Sequence, residues 1–392
     1  MSKSLKVGII GSGFAANFHF EAYKRLGLQN VEVVGNYSPT SEKRKQFAAR
    51  HGVKAFDSFD NMLKEVDMVD VCAPGNVHEF YSVEAANAGK HIVVEKPFTG
   101  YYGPKDAGND WRGDTFSKTI MLEKAVESAD RIVDAADKNK VTICYAENWV
   151  YAPSIQKEVE VLRASKGQIL WIIGEESHSG SHSPAYGVWR QGGGGSVVGK
   201  SCHPLTAALY LKRVEGEANG GQPIRPASVS ARTHNITQNP NFRDAGCLRT
   251  NYHDVEDFCQ LHIVFEDGFV ADIFSNEIVM GGVHNWIEVF ANNHRMRCNI
   301  NPVDACELYN PKEEQLKNVY LTEKLGTKQG WSRPSPDEDW MTGYPQEMSD
   351  FVDSIREGRE PECGKELGKD TVAVMYGAYL SAERKGSEVD LT

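Results

Sequence analysis

Nowhere in the 392 residues does an apolar run approach the roughly 18 to 20 residues that cross a bilayer as a helix, so no membrane span is expected. Cysteines are few and scattered. There are eight, with no CxxC pair and no dense spacing, which argues against a disulfide scaffold and for free thiols in a reducing, cytoplasmic setting. Basic residues are in deficit, 43 Lys and Arg against 54 Asp and Glu, giving a net charge of −11. Such a balance offers no concentrated basic patch for nucleic acid or an anionic membrane. The opening Met1 to Val7 lacks the apolar stretch and small-residue cleavage site of a signal peptide. Against these absences stands an ordinary globular composition, 40% hydrophobic and 25% charged, on a chain long enough for about two domains.

Residues 5–10, Leu-Lys-Val-Gly-Ile-Ile, read as a strand buried on both faces of a parallel sheet. Gly11-Ser12-Gly13-Phe14-Ala15-Ala16 follows, and a helix is expected over about 15–26. Strand, GxGxxA turn and helix in this order form a dinucleotide-binding turn. The first glycine allows the tight bend, the second admits a pyrophosphate, and the helix N-terminus attracts it. Gly11, Ser12, Gly13, Phe14 and Ala15 are therefore cofactor candidates. A second strand should end near residue 36, where many such folds place an acid on the adenosine ribose. Here Asn36 stands, with no arginine directly after it, which favours NAD over NADP.

Further strand and helix alternation predicts a doubly wound parallel sheet, with ligands beyond the carboxyl ends of its strands. Ala73-Pro74-Gly75-Asn76-Val77-His78 and Glu95-Lys96-Pro97 sit at two such ends. Ala73, Pro74, Asn76, His78, Glu95 and Lys96 join the cofactor candidates. His78 could touch the cofactor or cap its helix. The ordered set of GxGxxA, Ala73 to His78 and Glu95-Lys96-Pro97 resembles the glucose–fructose oxidoreductase / inositol dehydrogenase / MocA-like (Gfo/Idh/MocA) family across the first domain. The resemblance implies a two-domain nicotinamide-dependent oxidoreductase, with Lys96 at the nicotinamide and subunits paired into a homo-oligomer. A lysine there can hydrogen-bond a substrate hydroxyl and favour its deprotonated form. Pro97 is expected to fix the turn that aims Lys96, with a cis peptide as one way to do it.

Residues 99–118 lack periodicity and form an insertion beside the site mouth relative to commoner family members. Tyr101, Tyr102 and Trp111 offer flat faces for a sugar or aglycone; a mobile loop or a subunit contact is the alternative. A helix over 118–139 and a strand over 141–146 lead to Glu147-Asn148-Trp149-Val150-Tyr151-Ala152-Pro153. This segment resembles the family's Asn-x-Arg-Phe-x-Pro pattern, with Val150 in place of the arginine, and makes Asn148 and Tyr151 substrate candidates. A nucleotide-binding domain is expected over 1–147, including the insertion, and an α+β substrate and oligomerisation domain over 148–392. Short alternating runs there, and an Asp267-Gly268 turn, predict a large, mostly antiparallel sheet with helices on one face.

The glycine run 192–195 leads to Val198-Gly199-Lys200-Ser201-Cys202-His203. The family commonly shows Gly-Gly-Gly-x-Leu-x-Asp-x-Gly-x-His here. His203 matches the histidine and suits proton exchange near neutral pH. Gly199 replaces the acid, so Glu175, Glu176 or Asp254 is expected to take its part, or else Lys96 and His203 act alone. Lys200 is a new charge and a substrate candidate, expected on helical geometry to point about 100° away from residue 199. His178 and His182 lie in a Ser- and Gly-rich loop. Polyol-hydroxyl binding, plain loop hydrogen bonding and a shared metal are the three readings, and no metal is expected. Trp189 and Arg190 follow as further substrate candidates, and His284 as a possible cleft residue. His253 to Asp257 are expected to open a strand.

Together with the resemblance, these residues imply an NAD-dependent oxidoreductase acting on a secondary hydroxyl of a sugar or glycoside, C3 favoured, with Lys96 and His203 catalytic. Two alternatives stay open: redox-assisted glycoside cleavage with tightly held NAD, and a non-catalytic NAD-binding regulator.

Overall fold

The structure is a computed structural model and describes residues 4–108, 110–181, 184–301 and 305–391. The first sheet is built from β1 (Leu5–Ile10), β2 (Val31–Tyr37), β3 (Lys54–Ala55), β4 (Met68–Val71), β5 (His91–Glu95) and β6 (Ile143–Ala146). All neighbours are parallel, in the order β3-β2-β1-β4-β5-β6, the doubly wound arrangement of dinucleotide-binding folds. The strands read as near-continuous apolar runs because helices cover both faces: every residue of β4 and β6 is buried. The first helix, Phe14–Lys24, starts one residue earlier than expected and stops two earlier. The helix Lys118–Asn139 begins with Ser117 accepting from the Ile120 N–H, and its apolar face is buried.

The second sheet contains β7 (Ile169–Ser177), β8 (Pro226–His234), β9 (Phe258–Phe265), β10 (Val270–Asn276), β11 (His284–Ala291), β12 (Arg295–Asn301) and β15 (Val389–Asp390). Its order is β12-β11-β7-β10-β9-β8-β15, antiparallel throughout except for the β7–β10 pair. Gly268, at φ 83°, makes the β9–β10 hairpin possible. A separate ribbon pairs β13 (Leu308–Asn310) with β14 (Gly330–Ser332). The expected strand at His253 to Asp257 begins only at Phe258, because Asp254, Glu256 and Asp257 are buried and bond loop backbone instead.

The helix Cys202–Ala218 packs on the inner face of β7, where a Cβ at Gly174 would lie 3.1 Å from Pro204. The helix Lys365–Glu383 packs against both Lys118–Asn139 and β8, and so clamps the two sheets together. The described residues of the insertion 99–118 pack against the body of the protein. Tyr101 and Phe116 stack at 5.6 Å, and Trp111 lies 5.7 Å from Phe116. Gly113 N–H donates to Asp254 at 2.7 Å, and Lys118 Nζ donates to the Gly113 carbonyl at 2.7 Å. Its aromatics are spent on packing, so it forms a strap from the first sheet to the second.

Candidate active site

The turn after β1 is shaped as its glycines require. Gly11 has φ +124°, and a Cβ there would lie 2.6 Å from the Cys72 carbonyl, so only glycine fits. Gly13 is the N-cap of Phe14–Lys24, no side chain caps it, and a Cβ there would meet nothing within 4 Å. An uncapped helix start facing open space is a cradle for a pyrophosphate, and the chain fits a dinucleotide at this point. Asn36 faces the turn: its amide donates to the Gly11 carbonyl and to Ser12 Oγ, each at 3.1 Å. His78 neither caps its helix nor opens to the cleft. It is fully buried, with Nδ1 2.8 Å from the Pro97 carbonyl and Nε2 2.8 Å from the Ala73 carbonyl, so it ties two cofactor-side turns together. Asn76 is exposed on the short turn Gly75–Val77.

A cavity of about 510 Å³ joins this end to the second sheet. Phe14, Ala15, Ala73, Pro74 and Glu95 line one side, His178, Lys200 and His203 the other, with Lys96 between. The Lys96–Pro97 peptide is cis. Lys96 Nζ donates to the Gly199 carbonyl at 2.9 Å and lies 5.6 Å from the Tyr186 ring centroid. Burial pushes the Lys96 ammonium toward deprotonation, but Tyr186, Cys202, Glu176 and Glu95 outweigh it and hold the pKa well above the ordinary lysine value. Lys96 is thus a fixed cation.

His203 Nδ1 donates to Glu147 Oε1 at 2.5 Å, and Nε2 lies 3.7 Å from Glu176 Oε2. Trp149 stacks on the imidazole at 5.9 Å. Burial lowers the His203 pKa, while Glu147 and Glu176 raise it more, so the net shift is upward. The Glu176 carboxyl is pushed up by burial against the pull of His203 and Lys96. Glu176 and Glu147, not Glu175 or Asp254, are the carboxylates that flank His203. Glu175 pairs with His284 at 3.0 Å, and Asp254 takes the Trp189 and Gly113 N–H groups.

Lys200 is not turned away from residue 199. Residues Val197–Ser201 form a π turn, and Lys200 and Gly199 both line the cleft. Lys200 is 1% exposed; its Nζ lies 2.5 Å from His178 Nε2 and 3.1 Å from Glu277 Oε2. Burial lowers its pKa despite Glu277. Glu277 also accepts from Ser181 Oγ at 3.1 Å.

Other candidates are engaged in packing. Asn148 Nδ2 donates to the Thr342 carbonyl at 2.7 Å, and Tyr151 Oη donates to Asp350 at 2.8 Å. Trp189 is buried, its indole N–H on the Tyr101 carbonyl at 3.0 Å, and Arg190 donates to the Ala107 carbonyl at 2.7 Å. None of these four lines the cavity, because each fastens a crossing or the strap. His182 lies outside the described residues.

Three features escaped the sequence reading. Glu147 was legible in principle, since it directly follows a strand on the ligand side of the sheet. Tyr186 fills the space beside Gly199, where a Cβ would lie 3.2 Å from its ring. Beneath Glu95, buried His19 donates to Asp70 at 2.9 Å and lies 3.3 Å from Glu95 Oε1. Burial opposes its charge, yet Asp70 and Cys72 raise the His19 pKa well above ordinary, beneath the Lys96 turn. Among the described residues two groups could offer metal ligands, His19–Asp70–Cys72 and Glu147–Cys202–His203, each with atoms within 4.8 Å of one another. Hydrogen bonds between their members already satisfy His19 Nδ1 and His203 Nδ1.

With this geometry in place, the comparisons fall into line. Residues 5–106 match the family described as an oxidoreductase family with an NAD-binding Rossmann fold. UDP-N-acetylglucosamine 3-dehydrogenase of Acidithiobacillus ferrooxidans is 33% identical over 95 residues, 24% of this chain and 29% of that enzyme. The chain thus spans under a third of the length of this relative. Among the solved structures that share the fold over the whole chain are two. One is GenD2 of gentamicin A biosynthesis in complex with NAD (TM-score 0.79, 21% identity, 100% of this chain and 97% of that one). The other is myo-inositol 2-dehydrogenase of Lactobacillus plantarum (TM-score 0.71, 18% identity, all of both chains).

Proposed function

We propose that the chain is an NAD-dependent dehydrogenase that oxidises a secondary hydroxyl of a sugar or glycoside, with C3 as the favoured carbon. In this reading residues 1–147 hold the cofactor and 148–392 the substrate. The observation that carries it is the shared cavity: an uncapped phosphate-type turn at one end, and the Lys96 ammonium and the carboxylate-flanked His203 imidazole at the other. Bound NAD supplies a hydride acceptor. The chain's own residues do the rest. Lys96, held cationic and aimed by the Gly199 carbonyl, donates to the substrate oxygen and stabilises it as its proton leaves. His203 Nε2 takes that proton, while Glu147 fixes the ring through Nδ1 and stabilises the imidazolium. Lys200, His178 and Glu277 present a buried polar wall suited to neighbouring hydroxyls.

The C3 preference draws on the 3-dehydrogenase relative. NAD is preferred over NADP because Asn36 braces the turn and no arginine directly follows. A homo-oligomeric, cytoplasmic enzyme is part of the proposal; all eight cysteines are free, and among the described residues no helix is long and apolar enough to cross a membrane. The test is a difference-absorbance screen of sugars, cyclitols and glycosides with NAD and with NADP. Reduction of NAD by a sugar-type substrate supports the reading. A complete panel without reduction, alongside tight NAD binding, would overturn it.

A further inference from the structure

The catalytic cavity opens at its outer end. Val283, Asn285 and Glu323 line it and also line a second cavity of about 720 Å³. We propose that this second cavity is a subsite for a further neutral sugar ring, so that the substrate is a glycoside of at least two rings. One ring lies at Lys96 and His203, the other beside Trp331 and Trp286. The inference deepens the dehydrogenase reading above and rests on it.

Three observations carry it. The first is aromatic surface. Trp331, on β14, is 74% exposed and lines the cavity, with Tyr309 at 5.4 Å behind it. An indole face left open in a polar-rimmed cleft matches the apolar C–H face of a sugar ring.

The second is unmet hydrogen bonding. Trp286 Nε1 and Ser332 Oγ, both in residues lining the cavity, are buried and have no protein partner. Buried polar atoms in native folds almost always have partners, so two orphans in one lining point to a ligand with hydroxyls. Arg297 covers one face of the Trp286 ring at 4.3 Å, which leaves the indole N–H as its useful edge.

The third is charge. The two arginines of the lining face carboxylates: Arg297 lies 3.9 Å from Glu288, and Arg333 lies 3.6 Å from Glu307. Glu323 adds a further acid to the lining. The cavity carries no surplus positive field for a phosphate or carboxylate, and a neutral polyol suits it better.

The test measures binding and turnover separately. Disaccharides of several configurations, each beside its methyl monoglycoside, are titrated calorimetrically into NAD-loaded wild type, Trp331→Ala and Trp286→Phe. At least one disaccharide should bind about tenfold more tightly than its methyl glycoside. Trp331→Ala should erase that increment and leave the methyl glycoside unchanged, and Trp286→Phe, which keeps a ring but loses the N–H, should remove part of it. A panel with no such increment overturns the subsite. So does a Trp331→Ala effect that is equal on both ligands or absent, or one that changes oligomeric state instead. NADH is followed in parallel. Trp331-dependent disaccharide binding without NADH would sink the dehydrogenase reading but keep the subsite. NADH from the methyl glycoside without any increment would do the reverse.

Discussion

His203 Nδ1 and Glu147 Oε1 lie 2.5 Å apart, joining the end of β6 to a helix on the second sheet. The bond fixes the imidazole so that Nε2 is the nitrogen left for a substrate proton. It also ties together elements from both halves of the molecule.

This bond sets a pH dependence. Burial lowers the His203 pKa, but Glu147 and Glu176 together raise it by more, so its midpoint lies above the ordinary value of 6.5. Oxidation needs the neutral ring, so the rate should rise with pH through that midpoint. Glu147→Gln removes a raising charge, and its pH–rate midpoint should move down while the plateau falls by about tenfold or more. An unmoved midpoint would show that Glu147 does not act through His203.

Lys200 and Glu277 form a buried ion pair at 3.1 Å. Lys200→Met strands the Glu277 charge and should destabilise the fold by about 3–5 kcal/mol in denaturant unfolding. The double variant with Glu277→Gln should regain much of that loss. A single variant as stable as wild type would contradict the pairing.

Glu256 accepts from the Val197 N–H at 2.9 Å and from Tyr379 Oη at 2.8 Å, and burial pushes its pKa from 4.5 to about 7. The folded state thus binds this proton more tightly than the unfolded chain. Its stabilisation is fully present below pH 4.5 and is lost as pH rises through 7. Glu256→Gln should flatten that decline by an amount on the order of 3 kcal/mol, measured as unfolding free energy against pH. Parallel curves for the two proteins would refute the assignment.

Asp254 is the anchor of the strap, accepting from Gly113 N–H at 2.7 Å and Trp189 N–H at 2.8 Å. Asp254→Ala leaves both donors without their acceptor and should cost about 1–3 kcal/mol for each. Proteolysis should then cut within 99–118 first. Unchanged resistance there would mean that the strap is held by its aromatics alone.

What could be read from the sequence was what local spacing encodes. The Gly11 turn, the Lys96–Pro97 turn and the 118–139 helix depend on near neighbours, and each is where its residues placed it. His203 and Lys96 meet in one cavity, as their motifs implied, and the π turn Val197–Ser201 brings Lys200 into it as well. Partners set by long-range packing were not legible. Glu277 reaches Lys200 through the β10 end, and Tyr186 enters the space at Gly199 from a distant loop. Asn148, Trp189 and Arg190 carry binding-type chemistry, yet backbone carbonyls at Thr342, Tyr101 and Ala107 claim them. Side-chain type alone does not distinguish a ligand contact from a strut.

The most direct measurement compares NAD binding and NADH formation in wild type and Lys96→Ala on a sugar substrate found in the screen. Lys96 lies beyond β5 and donates to Gly199, away from the phosphate turn at Gly11 to Gly13. NAD affinity should therefore change little, while turnover should fall by about a hundredfold or more. Turnover close to wild type with Lys96 removed would contradict the account.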